Sequence, residues 1–313
     1  MAQNDEPYMD LVVYSSILIM DISSIFMISK LLWHFSRNET KNGLIRTYSP
    51  LLIATLICYG LYSSSSIPAC VYILWTWSLT ESHRVTRTTF FVMVVPITVC
   101  AIISTTVFFL GLEKTLSILF PTKHRTYFKK LLFRLYLLSV ALVGLWVALS
   151  WVVAHFFSGP NPEGCKSIGC TADSGTNRWQ LTKMTLGAAN CCIGAYFLYL
   201  WRFKHRLTSC SQRAAKMNNL MTVFAFLAEL LLNVLPWVVP LIVKELTQFD
   251  LVRKFGGGYS FVLSSLESFF FSHIYAFVFL RQQQDKRNHV TIETIATTVV
   301  NRNYVSASYT QGW

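Results

Sequence analysis

The sequence predicts an all-α membrane protein, a bundle of seven transmembrane helices with its amino terminus outside. Three observations predict it. The first is composition: 53% of the 313 residues are apolar and only 13% charged, where a soluble domain carries about 25% charged residues. The second is a set of seven apolar runs, 11–33, 48–74, 88–111, 131–157, 181–201, 220–243 and 259–280. Each suffices to cross the hydrocarbon of a bilayer, which takes about 20 residues at about 1.5 Å rise each. The third is charge placement: 19 of the 27 Lys and Arg lie on or beside one set of loops. That side is expected to be cytoplasmic, which puts residue 1 outside and the carboxy terminus inside.

The runs are helices because a backbone in lipid must satisfy its own hydrogen bonds. A membrane barrel would instead show short alternating segments, and none of these runs alternates. The net charge of +12 would suggest nucleic acid in a soluble protein. Here the basic residues separate apolar runs, so orientation explains them and no nucleic-acid partner is expected. No room is left for a large extramembrane domain.

Residues 1–10 are polar and acidic, with Asp5, Glu6 and Asp10. They lack the basic start and small-residue cleavage site of a signal peptide, so the first span is expected to stay in the mature protein. Beyond it lie Arg37, Lys41 and Arg46, and a glycosylation sequon, Asn38-Glu39-Thr40, that this topology makes cytoplasmic and unused. The second span ends near Pro68, Cys70 and the aromatic pair Trp75 and Trp77. The third is followed at once by Glu113-Lys114 and then by a basic loop containing Pro121, Lys123, Arg125, Lys129 and Lys130. The tail, 281–313, is polar and rich in Thr and Asn.

Polar residues inside spans carry the most information. Asp21 lies in the first span, Glu229 and Asn233 in the sixth, and Glu267 and His273 in the seventh. Ionisable groups at membrane depth are costly and face the bundle interior. Counted along the helices, Asp21 and Glu267 fall roughly 15 and 12 Å from the outer face, and Glu229 and His273 roughly 21 Å. Equal depths make pairing within each couple feasible. These groups read either as ligand anchors and switches or as hydrogen bonds that hold the bundle. Pro96 and Pro236, with Pro240, each remove a helical hydrogen bond and invite a kink. Trp237, beside Pro236, reads as a lever against a ligand cavity or as a packing residue.

Cys165 and Cys170 lie in the extracellular loop between the fourth and fifth spans, where disulfides persist, and a Cys165–Cys170 bridge is expected. Cys70 with one of them is the alternative, and two free thiols the remaining one. No Cys-x-x-Cys or His-Glu-x-x-His pattern, glycine-rich phosphate loop or Gly-x-Ser-x-Gly turn occurs. No metal centre, cofactor or enzymatic activity is therefore expected.

The chain resembles the nematode serpentine chemoreceptors, seven-transmembrane G-protein-coupled receptors. The resemblance covers the length and span layout. It is sharpest at Leu112-Glu113-Lys114 followed by Ser117-Ile118-Leu119-Phe120-Pro121, similar to that family's acid–Arg … apolar–Phe–Pro segment. The loop from Pro162-Glu163-Gly164-Cys165 to Gly169-Cys170 looks like the paired-cysteine loop of the Srbc class. Lys114 departs from the usual Arg, keeping the charge but losing the bidentate fork. Of an Asn-Pro-x-x-Tyr motif in the last span only Tyr275 matches.

The resemblance implies a rhodopsin-like bundle at the plasma membrane, with the sensory cilium as its expected place, binding a small environmental molecule and signalling through a heterotrimeric G protein. Glu113, Lys114 and Tyr275 would form the coupling end. Two rivals stay open. A seven-span ligand-gated channel would put the amino terminus inside. An ion-coupled transporter would use Asp21, Glu229 and Glu267 as a relay, normally with an inverted repeat; no repeat is visible.

Overall fold

The computed structural model describes residues 6–42, 49–76, 87–121, 127–157, 176–204, 213–247 and 261–279. Among them the regular structure is entirely helical. We number the helices α1 (Glu6–Asn42), α2 (Pro50–Trp75), α3 (Arg87–Leu119), α4 (Lys129–Phe157), α5 (Thr176–Lys204), α6 (Arg213–Ala228), α7 (Leu235–Thr247) and α8 (Phe261–Phe279). A π-helical segment, Glu229–Val234, joins α6 to α7 without a break. The chain divides into two compact units, Met1–Ser272 and His273–Trp313. Every contact described below lies within the first.

Six of these helices carry stretches long and apolar enough to cross a membrane: Leu11–Ser36, Pro50–Trp75, Phe91–Leu119, Lys129–Val153, Met184–Phe203 and Phe261–Phe279. The burial pattern is the reverse of a soluble protein's. Asp21 is 0% exposed and Glu229 and Glu267 are each 1% exposed, while Phe26 and Leu142 are 66% and 59% exposed. Water would not leave such side chains outside and carboxylates inside; lipid does, because it solvates the apolar face and leaves polar groups to find one another.

α2 begins where its sequence requires. Pro50 occupies the first helical turn, where its missing N–H costs nothing, and Ser49 caps the helix by accepting from the Leu51 N–H at 3.2 Å. α3 packs against α2, α4, α5 and α6, and α1 packs on α2. α3 continues helical through Glu113 and Lys114 to Leu119, beyond the end of its apolar run. Pro96 is buried in α3. Lacking an N–H, it leaves the Val92 carbonyl without its helical donor.

The α6–α7 connection has a local cause. At the π segment the Leu235 N–H reaches the Leu230 carbonyl, five residues back. Half-buried Pro236 follows immediately. A proline ring collides with the carbonyl four residues before it, and a turn widened by one residue relieves that collision. A shorter apolar helical stretch, Leu220–Val234, runs through this segment. The side chains of Trp237 and Pro240 lie outside the described residues, as do Cys165 and Cys170 entirely. Cys70 is a buried free thiol.

Glycines let α6 approach α3 and α5. A Cβ on Gly111 of α3 would stand 2.2 Å from the Phe226 ring, and one on Gly194 of α5 would stand 2.9 Å from the same ring. Phe226 is thus seated in a slot that two missing side chains create. Where lipid gives no hydrophobic drive between helices, such close packing of small residues is what holds them together.

Candidate functional site

The intramembrane polar residues converge into two linked clusters. The first surrounds two glutamates. Glu229, on the π segment, accepts from Asn190 Nδ2 at 3.2 Å and from Asn233 Nδ2 at 3.1 Å. Glu267, on α8, accepts from the same Asn233 Nδ2 at 2.6 Å and from the Tyr59 hydroxyl of α2 at 2.6 Å. Asn190 Nδ2 also donates to the Ser104 carbonyl of α3 at 3.0 Å. One amide, Asn233, therefore holds two carboxylates at once. The cluster ties α2, α3, α5, the π segment and α8 together.

The widened turn contributes to this geometry. Glu229 and Asn233 both belong to it, and both face inward at 1% and 5% exposure. Gly187 of α5 faces the same turn: a Cβ there would stand 2.7 Å from Val234. Tyr59 also packs its ring against Phe271, with centroids 4.4 Å apart, which aims the hydroxyl at Glu267.

The second cluster surrounds Asp21. Ser66 of α2 donates to Asp21 Oδ2, and Ser265 of α8 donates to the same oxygen at 3.2 Å. Ser63 also interacts with this carboxylate and shares a 2.9 Å hydrogen bond with Ser268. Tyr62 bonds Ser265 at 3.4 Å, and Cys100 of α3 meets Ser264 at 3.4 Å. Ser265 and Glu267 sit two residues apart on α8, so the clusters adjoin.

A family model decides the class. The model for the serpentine type 7TM GPCR chemoreceptor Srbc matches residues 8–283. The chain belongs to that family. A search of curated proteins gave no match. The Srbc chain is thus a multi-pass membrane protein of a chemoreceptor class, not of an enzyme family.

Within this Srbc chain, depth alone couples Glu229 with His273 and Asp21 with Glu267. The structure instead joins Glu229 to Glu267 through Asn233, and Asp21 to serines of α2 and α8. His273, half-buried, and Tyr275, buried, belong to the second unit. Glu113 is buried at 5% exposure and accepts a hydrogen bond from Ser49, the cap of α2. Lys114 beside it is half-buried. The acid of this pair is therefore engaged with the start of α2.

Sequence reasoning missed Asn190, Tyr59 and the serines. Asn190 carried a signal, being an amide in the middle of an apolar run. Tyr59 and Ser63, Ser66, Ser265 and Ser268 carried none, because hydroxyl residues are common in spans and bond their own helix. Thr55, Thr98 and Thr105 do that here, each donating to the carbonyl four residues back at 2.7, 2.8 and 3.0 Å.

Proposed function

We propose that this Srbc chain is a chemosensory G-protein-coupled receptor of the plasma membrane. It binds a small environmental molecule in the outer half of the bundle, bordered by α3, α5, the α6–α7 segment and α8. It passes the signal to a heterotrimeric G protein at the cytoplasmic end. The observation that carries this reading is membership of the chemoreceptor family over residues 8–283. The reading takes the continuous segment Arg213–Thr247 as the sixth span in chain order, which completes the seven and which its inward-facing Glu229 and Asn233 support. It places the amino terminus outside, on the Lys and Arg bias.

The test is expression with a promiscuous G-protein reporter and an odorant panel, with membrane current recorded in parallel. A concentration-dependent reporter response without current is expected. Ligand-gated current without a reporter response would overturn the receptor reading in favour of a channel or transporter. Termini tagged and stained before and after permeabilisation check the topology. An amino-terminal tag visible only after permeabilisation in surface protein would refute it.

The coupling end gives a sharper expectation. Ser49 links the α2 cap to Glu113, next to Lys114. Loss of that bond loosens α3 from α2 by about 1 kcal/mol, which is several-fold in a two-state equilibrium. Ser49→Ala, which removes the bond, and Glu113→Gln, which leaves Ser49 only a weaker neutral acceptor, are both expected to raise basal signalling a few-fold. Lys114→Ala is expected to cut ligand-driven signalling at unchanged surface level. Reporter output normalised to surface receptor checks this. Normal signalling per receptor in all three would reduce the pair to an anchor of the helix end.

A further inference from the structure

Arg134 stands where a charge is costly. It lies within the fourth apolar run, 131–157, yet it is exposed on the outer surface of α4, whereas an ionisable residue inside a span ordinarily turns to the bundle interior. Lys130, one turn earlier, is exposed as well. Two like charges four residues apart on a helix repel, and among the described residues neither meets a carboxylate. Tyr127, 65% exposed in the turn before, continues the same face. Beyond Arg134 that face is apolar: Leu138, Leu142 and Leu145 are 58%, 59% and 58% exposed. Spacings of three and four residues put these six side chains on one stripe. α4 is also the least covered of the six long apolar helices, with 17% of its most apolar stretch buried against 56% in α3.

We propose that this stripe of α4 is a binding site for an anionic phospholipid, with Lys130 and Arg134 on the headgroup and Leu138, Leu142 and Leu145 along an acyl chain. Long basic side chains lay their stems on apolar surface and carry their charge out to the headgroups. The guanidinium of Arg134 can take two phosphate oxygens through its planar fork, and Lys130 supplies a second charge one turn nearer the water. Tyr127 adds a ring with a polar tip at headgroup level. The rise from Arg134 to Leu145 is about 17 Å, close to the depth of one leaflet of a core about 30 Å thick. Charge decides against a second copy of the chain as the occupant. A twofold dimer through this face would set Lys130 and Arg134 against their own counterparts. The choice of a phosphoinositide as the lipid rests on the proposed topology, which puts this end at the cytoplasmic leaflet, where anionic lipid collects. The tag staining checks that topology separately, and binding in detergent does not depend on it.

Receptor purified in detergent and titrated with phosphatidylinositol bisphosphate, with bound lipid counted by native mass spectrometry, tests the proposal. Wild type is expected to bind this lipid in preference to phosphatidylcholine. Lys130→Gln and Arg134→Gln are each expected to weaken binding roughly fivefold, and the double variant roughly twenty-five-fold. Arg134→Lys is expected to lose less than Arg134→Gln. These side chains are exposed on α4, so the fold is expected to survive each change. Lys30→Gln is the control. Lys30 is exposed on α1, which packs on α2, and lipid binding is expected to stay unchanged there. Soluble inositol trisphosphate, a headgroup without chains, is expected to compete poorly. Equal binding of phosphatidylcholine would overturn the proposal. So would equal losses in Lys30→Gln and Arg134→Gln, which would make the attraction diffuse. Competition by inositol trisphosphate as strong as by the lipid would also overturn it and make the occupant a free phosphate. Receptor dimers that Leu138→Trp separates, with lipid binding unchanged, would overturn it by giving the face to a second copy.

Discussion

Replacing Asn233 with Leu is expected to lower the melting temperature of the purified receptor by roughly 10 °C and to remove most of it from the cell surface. Asn233 donates to Glu229 and Glu267 through one nitrogen. Leu matches its volume closely enough to leave no large cavity but supplies no donor. Two buried carboxylates then lose a shared partner while facing each other across an apolar side chain. Breaking a buried charged arrangement on one side costs about 3–5 kcal/mol, a large share of a total stability of about 5–15 kcal/mol. At roughly 2–4 °C per kcal/mol for a domain of about 150–250 residues, that is the shift stated. Leu231→Ala on the same widened turn is the control. Leu231 is 54% exposed, faces lipid, and is expected to shift melting by less than about 2 °C. The double variant Asn233→Leu with Glu267→Gln removes one charge and adds a donor, and is expected to regain about half of the loss. If Asn233→Leu melts with wild type, the two glutamates do not depend on this bridge.

The second large effect is expected at Gly111. Two terms oppose each other when Gly111 becomes Ala. Helix propensity favours Ala by about 1 kcal/mol. Against it, the new Cβ would stand 2.2 Å from Phe226 Cζ and 3.1 Å from Cε2. The ring has little room to retreat, because its base lies so close to the α5 backbone that a Cβ on Gly194 would stand 2.9 Å from it, and the Phe197 ring lies 6.4 Å away, centroid to centroid. Overpacking of this kind costs about 1–3 kcal/mol, so the clash wins and Gly111→Ala is expected to melt a few degrees lower, with Gly111→Leu lower still. Phe226→Leu alone leaves a cavity and also destabilises. Combined with Gly111→Ala it should cost less than the two separate losses together, an interaction energy that a double-mutant cycle measures directly. Strict additivity would show that the two residues do not meet.

The class of this protein was legible in the chain itself. Membrane residence, the number of apolar runs and the bias of Lys and Arg depend on composition and order, which bilayer thickness and the positive-inside rule read without reference to tertiary contacts. The resemblance at Leu112–Lys114, Phe120-Pro121 and the loop cysteines led to the same class that the family match over residues 8–283 shows. The identity of the inward-facing acids was legible too, because any carboxylate at that depth must turn from lipid. Asp21, Glu229 and Glu267 are accordingly among the least exposed of the described residues.

What each acid meets was decided only in three dimensions. Depth along a helix is a single coordinate, while a hydrogen bond also needs the rotation of each helix about its axis and the register between neighbours. The π segment from Glu229 to Val234 shifts that rotation by inserting one residue into a turn, and no count along a straight helix anticipates it. It turns Asn233 toward both Glu229 and Glu267. In the same way Glu113 is adjacent in sequence to Lys114, yet Ser49, 64 positions away, donates to it, because α3 runs past its apolar stretch to the start of α2. Gly111 read only as the end of an apolar run. The Phe226 ring gives it a reason, and that reason exists only where α3, α5 and α6 come together.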